Sequence, residues 1–217
     1  MIVLGLDPSL TNFGWAVHDT NGHGQSRCLA RGRFQTSAKT LFISRYINMR
    51  ESLRALVQSA KPDKVGIEFP VFNDLWSEGM YGLFLYSCEA LHLEKQDVVF
   101  WSPLQVKAHA RESLERPLKW KMMKPDMVEA AQQDTGGGGR WNHNEADAYL
   151  VARLASRFWL LQTGALDEAD LTKVEQKYFL EIKEWLRGRK AGKVEHKGIL
   201  YREDERFFQW SQETDDG

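Results

Sequence analysis

Three acidic side chains stand where acids are costly. Asp7 closes the apolar run Ile2 to Leu6 in "MIVLGLDPSL", Glu68 lies between apolar neighbours in "KVGIEF", and Asp147 follows the polar start of a helix in "NHNEADAYLVA". A carboxylate in a core strand costs free energy unless something positive satisfies it. Each has an ordinary reading by itself. Asp7 opens an Asp-Pro-Ser turn, Glu68 can face a sheet edge because strand residues alternate faces, and Asp147 suits the positive end of a helix dipole. Taken together they say more, because a first strand, a fourth strand and a late helix can converge and bring two strand carboxylates to face one helix carboxylate. Such a group holds metal ions or acts as catalytic acids.

The surrounding pattern supplies those elements. Ile2 to Leu6 and Phe13 to Val17 read as neighbouring strands joined by a turn, "TNGHGQ" as a hairpin turn and "RCLARGRF" as a third strand. "LFISRYINMRESLRALVQSA" repeats apolar residues at three and four, which predicts an amphipathic helix ending before Lys61-Pro62. "KVGIEF" is a buried strand, "DLWSEGMYGLFLYSCEALHLE" a long, mostly apolar helix, and "DVVFW" a further strand. Shorter helices are expected at about Leu104 to Arg111 and Pro125 to Gln133, then the glycine run "TGGGGR" and a strong helix in "NEADAYLVARLASRFWLLQ". This order defines a mixed α/β sheet covered by helices.

Length and composition narrow the classes. A chain of 217 residues fits one domain with an elaboration, and 42% hydrophobic with 27% charged residues is ordinary for a soluble globular protein. No stretch reaches transmembrane length and the N-terminus lacks signal-peptide regions, so the cytoplasm is the expected location. Cys28 and Cys88 are far apart and outside any metal-ligand spacing, which argues against a disulfide framework and a zinc site. A net charge of −1 gives no global attraction to nucleic acid, so such a partner needs local patches. Lys107, Arg111, Arg116, Lys119, Lys121 and Lys124 form one, against only Glu112 and Glu115 and with Trp120 among them. Arg187, Arg189, Lys190, Lys193, Lys197 and Arg202 form another, loosened by Gly188 and Gly192. Each is either a solvated face or a phosphate-binding one.

The chain resembles the RuvC-type Holliday junction resolvases of the ribonuclease H-like superfamily. "VLGLDPSLTNFGWAV" is similar to the family's opening strand, turn and second strand, "VGIEFPVF" to its second acidic motif, "SPLQVKAHA" to its lysine-bearing segment and "NEADAYLVARLA" to its closing helix. Order and spacing match over roughly residues 1–160. The resemblance implies a ribonuclease H-like mixed sheet, three antiparallel strands then parallel strands, flanked by helices. It also implies a structure-selective endonuclease that resolves four-way DNA junctions by paired symmetric nicks, as a homodimer with divalent metal. Asp7, Glu68 and Asp147 are then the ligands, Asp7 bridging, of two Mg²⁺ ions about 3.5–4 Å apart, with Mn²⁺ as a substitute.

One position departs from the family pattern. A fourth ligand, Asp or His, is usual three residues before the closing Asp, and Asn144 stands there, with His143 four residues before. Both offsets share a helix face with Asp147, whereas Glu145 points elsewhere. Asn144 offers a neutral carbonyl oxygen, His143 a nitrogen better suited to Mn²⁺, and either can instead cap the helix. For DNA contacts, Lys107 matches the lysine of the family's "VK" motif. Lys121 matches the next basic position by its distance from Met127, with Lys119 and Lys124 competing. Phe72 is the candidate junction-stacking aromatic and Phe69 its rival, a core role being open to both.

Residues 1–163 are expected to form the nuclease domain and 164–217 a C-terminal extension. Its "DEADLTKVEQKYFLEIKEWLRGRK" carries Leu171, Val174, Tyr178, Ile182 and Trp185 at helical spacing, a stripe for the core or for another subunit. "KVEHKGILYREDERFFQW" reads as a basic loop with a short strand or hairpin, and "SQETDDG" as a disordered tail. The helix around Trp76, Met80 and Phe84 is wide enough in its apolar face to form a two-fold interface, or to be buried within one subunit. Two other classes compete. "GLDPSLTNFGWAV" and "GGGGR" also suit an actin-like ATPase, and Asn144 suits a junction binder that does not cut. Nothing in the sequence identifies a branch-migration motor as partner.

Overall fold

The computed structural model describes residues 1–20, 26–69, 76–137, 139–186 and 200–201. Strands β1 (Ile2–Asp7), β2 (Asn12–Thr20) and β3 (Ser26–Gln35) form an antiparallel meander. After helix α1 (Phe42–Ala60), β4 (Lys64–Glu68) pairs parallel to β1. After α2 (Trp76–Leu93), β5 (Val98–Trp101) pairs parallel to β4. Helices α3 (Pro103–Ser113), α4 (Lys124–Asp134) and α5 (His143–Thr163) follow, then a 3₁₀ turn at Glu168–Asp170 and α6 (Lys173–Leu186). The two-residue β6 (Leu200–Tyr201) lies antiparallel on β5 and completes the sheet order β3-β2-β1-β4-β5-β6.

Strand periodicity decides what faces where. Leu4 and Leu6 of β1, Phe13 and Val17 of β2, Val65 and Ile67 of β4, and Val98 and Phe100 of β5 form one core with Met49, Leu53 and Val57 of α1 and Leu83, Phe84, Cys88 and Leu91 of α2. The alternate residues Val3, Ala16, Val99 and Trp101 form the opposite core with α3 to α6, centred on Ala148, Val151, Leu154 and Phe158 of α5. Helix α5 lies almost on the backbone of the sheet. A Cβ on Gly5 would stand 2.1 Å from the Ala148 carbonyl oxygen, and one on Gly14 2.1 Å from that of Asn144. Only glycine admits this approach.

The ends of the helices follow local chemistry. Lys61 takes the left-handed conformation at φ 45° and its N–H returns to the Val57 carbonyl, so α1 stops before Pro62 as the pattern predicts. Ser102 and Gln105 form a capping box ahead of α3, and Asn142 and Glu145 form one ahead of α5. Neither Asn144 nor His143 is the cap.

The extension packs on its own core. Leu171 and Phe179 are buried, and the Phe179 ring lies 5.6 Å from that of Trp101 and 5.7 Å from that of Phe158. Beyond Leu171 the expected stripe is turned by one residue, with Glu175 and Phe179 fully buried and Val174 and Tyr178 only half-buried; the side chains of Ile182 and Trp185 lie outside the described residues. The cause is a buried ion pair. Glu175, at 0% exposure, accepts a hydrogen bond from Arg157 Nη2 at 2.8 Å, and Arg157 Nε pairs with it as well. Hydrophobic spacing alone cannot announce a buried acid. The short strand expected near the C-terminus is β6.

The interface expected on α2 is corrected at Phe84, which packs inside one subunit against Phe69 and Phe100. Met80 leans on the same core. The Trp76 side chain, Phe72, the "TNGHGQ" turn, the cluster at Arg187, Arg189, Lys190, Lys193, Lys197 and Arg202, and the "SQETDDG" tail lie outside the described residues. Both cysteines are free. Among the described residues, no helix is long and apolar enough to cross a membrane.

Candidate active site

The alternation that builds the sheet also aims its acids. Val3 and Gly5 face α5, so Asp7, two residues on, ends β1 on the same side. In β4 Gly66 touches Ala155 of α5, so Glu68 also faces α5. The parallel register sets Leu6 opposite Ile67, which leaves Asp7 and Glu68 side by side at the carboxyl ends of two central strands. Asp147 approaches from α5, in its second turn; the first-turn acid of that helix is Glu145.

The three carboxylates feel one another. Burial first, then the charges of Glu68 and Asp147, holds the Asp7 carboxyl well above the usual range. Burial and then Asp147 push Glu68 up to about 8, and burial pushes Asp147 up to about 6. Two lysines oppose this. Lys107 of α3 acts on Glu68 and Asp147, and Lys124 at the start of α4 acts on Asp7 and Asp147. Among the described residues none of the three carboxylates takes part in a hydrogen bond. Half-buried acids that crowd together without donors are costly unless positive charge reaches them. Among the described residues no three His, Cys, Asp or Glu side chains are drawn together tightly enough to grip an ion as they stand. An all-oxygen donor set still fits Mg²⁺, which keeps several waters and binds through one or two carboxylates.

Asn144 is 8% exposed and its amide nitrogen donates to the Asn12 carbonyl of β2 at 2.5 Å, so its side chain ties α5 to the sheet. His143 turns toward Lys124, with Nε2 and Nζ 3.2 Å apart. Burial, then the charges of Lys124 and Arg33, holds it below the usual imidazole range. Glu145 points away, to Arg31 and Arg33 of β3 at 3.4 and 3.6 Å.

Lys107 acts on the carboxylates, as does Lys124 of the three rivals for the next basic position, whereas the exposed Lys119 and Lys121 do not. Phe69 belongs to the core, its ring edge-on to Phe84 at 5.0 Å. A cleft of about 630 Å³ beside the carboxylates, lined by Arg33, Lys124, Arg140, Trp141 and His143 among others, is not among the features expected from the sequence. Its signal was available: Arg31 and Arg33, two apart on a strand, share a face.

No family model matches the chain. Curated relatives do. The chain is 34% identical over 74 residues to the crossover junction endodeoxyribonuclease RuvC of Sphingopyxis alaskensis, covering 34% of this chain and 47% of that protein. It is 34% identical over 111 residues to the enzyme of the same name from Gloeobacter violaceus, covering 49% and 62%. The matches thus span about half the length of these relatives. Among solved structures, Thermus thermophilus RuvC bound to a Holliday junction substrate superposes with TM-score 0.61 at 18% identity, over 76% of this chain and 98% of that one. The chain thus shares the fold of that RuvC and matches part of the length of the RuvC relatives. The yeast mitochondrial Holliday junction resolvase shares this fold more distantly, with TM-score 0.54 at 12% identity over 87% of this chain and 85% of that one. The RuvC-like mixed sheet expected from the sequence is therefore present, with β6 as an added antiparallel edge.

Proposed function

We propose that this chain is a RuvC-type resolvase, a metal-dependent endodeoxyribonuclease of the cytoplasm that cuts four-way DNA junctions by paired symmetric nicks. The observation that carries the reading is the meeting of Asp7, Glu68 and Asp147, from two adjacent strand ends and one helix, in a half-buried, donor-free acidic group flanked by lysines. The named relatives and the shared fold support it.

Asp7, Glu68 and Asp147 would hold two Mg²⁺ ions, with Mn²⁺ able to substitute. Bound there, the ions supply water activation near neutral pH and charge neutralisation at the leaving oxygen. The chain's own groups do the rest. Asp7, fixed at the end of a central strand between Glu68 and Asp147, would set where the ions, and through them the scissile phosphate, sit. Lys107 and Lys124 approach the acids from two different helices and draw in the DNA backbone, which the carboxylates alone would repel. Asn144 holds α5 on β2 and so holds Asp147 in place, and His143 stays neutral beside Lys124. Lys119 and Lys121 serve only as outlying phosphate contacts, and Phe72 remains the candidate stacking aromatic.

A junction has two equivalent strands to cut, so the reading includes a two-fold homodimer. An exposed apolar group at the start of α1, Leu41, Phe42, Ile43 and Ile47, supports it.

The test is cleavage of synthetic four-way junctions in Mg²⁺. Asp7→Asn should abolish cutting while junction binding stays within a few-fold, since charge at the metals is removed and phosphate contacts are kept. Cutting retained at saturating Mg²⁺ would reject the assignment. Sedimentation of the free chain tests the dimer, and a monomer that stays monomeric on junction DNA would reject it.

A further inference from the structure

The cleft beside the acids is built for an anion, and the nuclease chemistry does not use most of it. It lies where β3, the first turn of α4 and the loop entering α5 meet, and holds about 630 Å³, a volume typical of ligand sites. Three cationic side chains line it: Arg33 from β3, Lys124 from α4 and Arg140 from the loop. One carboxylate lines it, Glu145, and this is already taken by the capping box of α5 and by Arg31 and Arg33. Among the described residues Lys124 and Arg140 have no carboxylate ion-pair partner. The wall is rigid: Trp141 is buried, and the Arg31 guanidinium stacks on its ring 3.6 Å from the centroid. Two of these cations, Lys124 and Arg140, are exposed at the rim of a firm-walled hollow and carry no ion-pair partner among the described residues, which leaves them available to an entering anion.

The position of the cleft says which anion. Lys124 lines it and also acts on Asp7 and Asp147, so the hollow and the acidic group share a border. His143, on the cleft wall, precedes Asp147 by one helical turn. A strand whose scissile phosphate sits on the acids must continue past this border, and the next negative charges it carries are its own phosphates. Resting on the nuclease reading above, we propose that the cleft seats a second, non-scissile phosphate of the cleaved strand, gripped by Arg140 and Lys124, with Arg33 as an outer contact. Arg140 is the specific element, because its side chain is exposed and enters no ion pair among the described residues. Its guanidinium can take two phosphate oxygens at once.

The test uses the full chain with four-way junctions in which single phosphates are replaced, one at a time, by uncharged methylphosphonates. One replacement apart from the cleavage point should weaken binding by roughly tenfold, the effect of removing one charged hydrogen-bonded interaction. Arg140→Ala should weaken binding to the unmodified junction by a similar factor and remove the penalty at that one position, while Arg140→Lys restores part of it. If Arg140→Ala binds and cuts like the parent, or weakens every modified junction by the same factor, the cleft holds no phosphate, and the nuclease reading is untouched. If the parent chain neither binds nor cuts junctions, the nuclease reading falls and this occupant falls with it.

Discussion

Replacing Asp147 by asparagine should make the metal-free protein more stable and the enzyme inactive, a combination that separates a metal ligand from a structural acid. An unfolded aspartate ionises near 3.8, whereas the folded Asp147 ionises only at about 6. Between those values the folded state keeps a proton that the unfolded state has released, so stability falls as pH rises through this window. Above it the full penalty applies. A difference of about two pH units at about 1.4 kcal/mol each gives a ceiling of about 3 kcal/mol, and partial solvent screening of a half-buried group reduces it to about 1–2 kcal/mol. Asparagine removes that penalty. For a chain of this size, thermal denaturation in EDTA at pH 7 should show a melting point raised by roughly 3–6 °C, a gain that disappears near pH 4. Adding Mg²⁺ should stabilise the parent more than the variant, because the variant keeps only two of the three carboxylates whose crowding a cation relieves. Junction cleavage should fall by roughly a hundredfold or more. A variant less stable than its parent in EDTA at neutral pH, or one that still cuts at near-parental rate, would refute the reasoning.

Other outcomes are equally definite. Lys107→Ala and Lys124→Ala should each weaken junction binding and lower the slope of log affinity against log salt by about 0.9, the share of one phosphate no longer neutralised, while Lys121→Ala, at an outlying contact, lowers it by less; filter binding across salt concentrations reads this. Gly14→Ala should push the start of α5 off β2, costing about 1–3 kcal/mol in urea denaturation and suppressing cleavage even at temperatures where the variant is fully folded. Glu175→Ala should cost about 3–5 kcal/mol by leaving Arg157 without its buried partner, measured as a lowered urea midpoint, with cleavage by the surviving folded fraction unchanged.

Much of this fold is written in local pattern. The runs Ile2 to Leu6 and Lys64 to Glu68 announce themselves because a strand buried on both faces is apolar throughout, and the acid that ends each run stands out against it. Helix α5 is legible for the same reason, being buried nearly all round. What escaped depends on pairing between distant residues. Glu175 is buried because Arg157 awaits it, so a reading by apolar spacing turned α6 by one residue. Lys121 and Lys124 lie within a turn of each other in sequence, and only the three-dimensional path of the segment before α4 makes Lys124 the one beside the acids. Asn144 offered two plausible chemistries, ligand and cap. Its hydrogen bond to Asn12, 132 positions away in the chain, is a third. Phe84 looked available on a wide apolar helix because the sequence does not reveal how thick a layer β4 and β5 place against it.

The bare approach of α5 to the sheet has a consequence for how such a protein can change over generations. Gly5 and Gly14 set the helix by backbone against backbone, at distances no side chain can adjust. The spacing between Asp147 and the strand acids is therefore insulated from the sizes of the surrounding core residues, which can be exchanged for others of similar volume while the reactive groups stay where they are. Sequences can then differ widely in their interiors and keep one architecture, and this chain and Thermus thermophilus RuvC share a fold at 18% identity. Selection need guard only a few positions, and two of them are residues with no side chain.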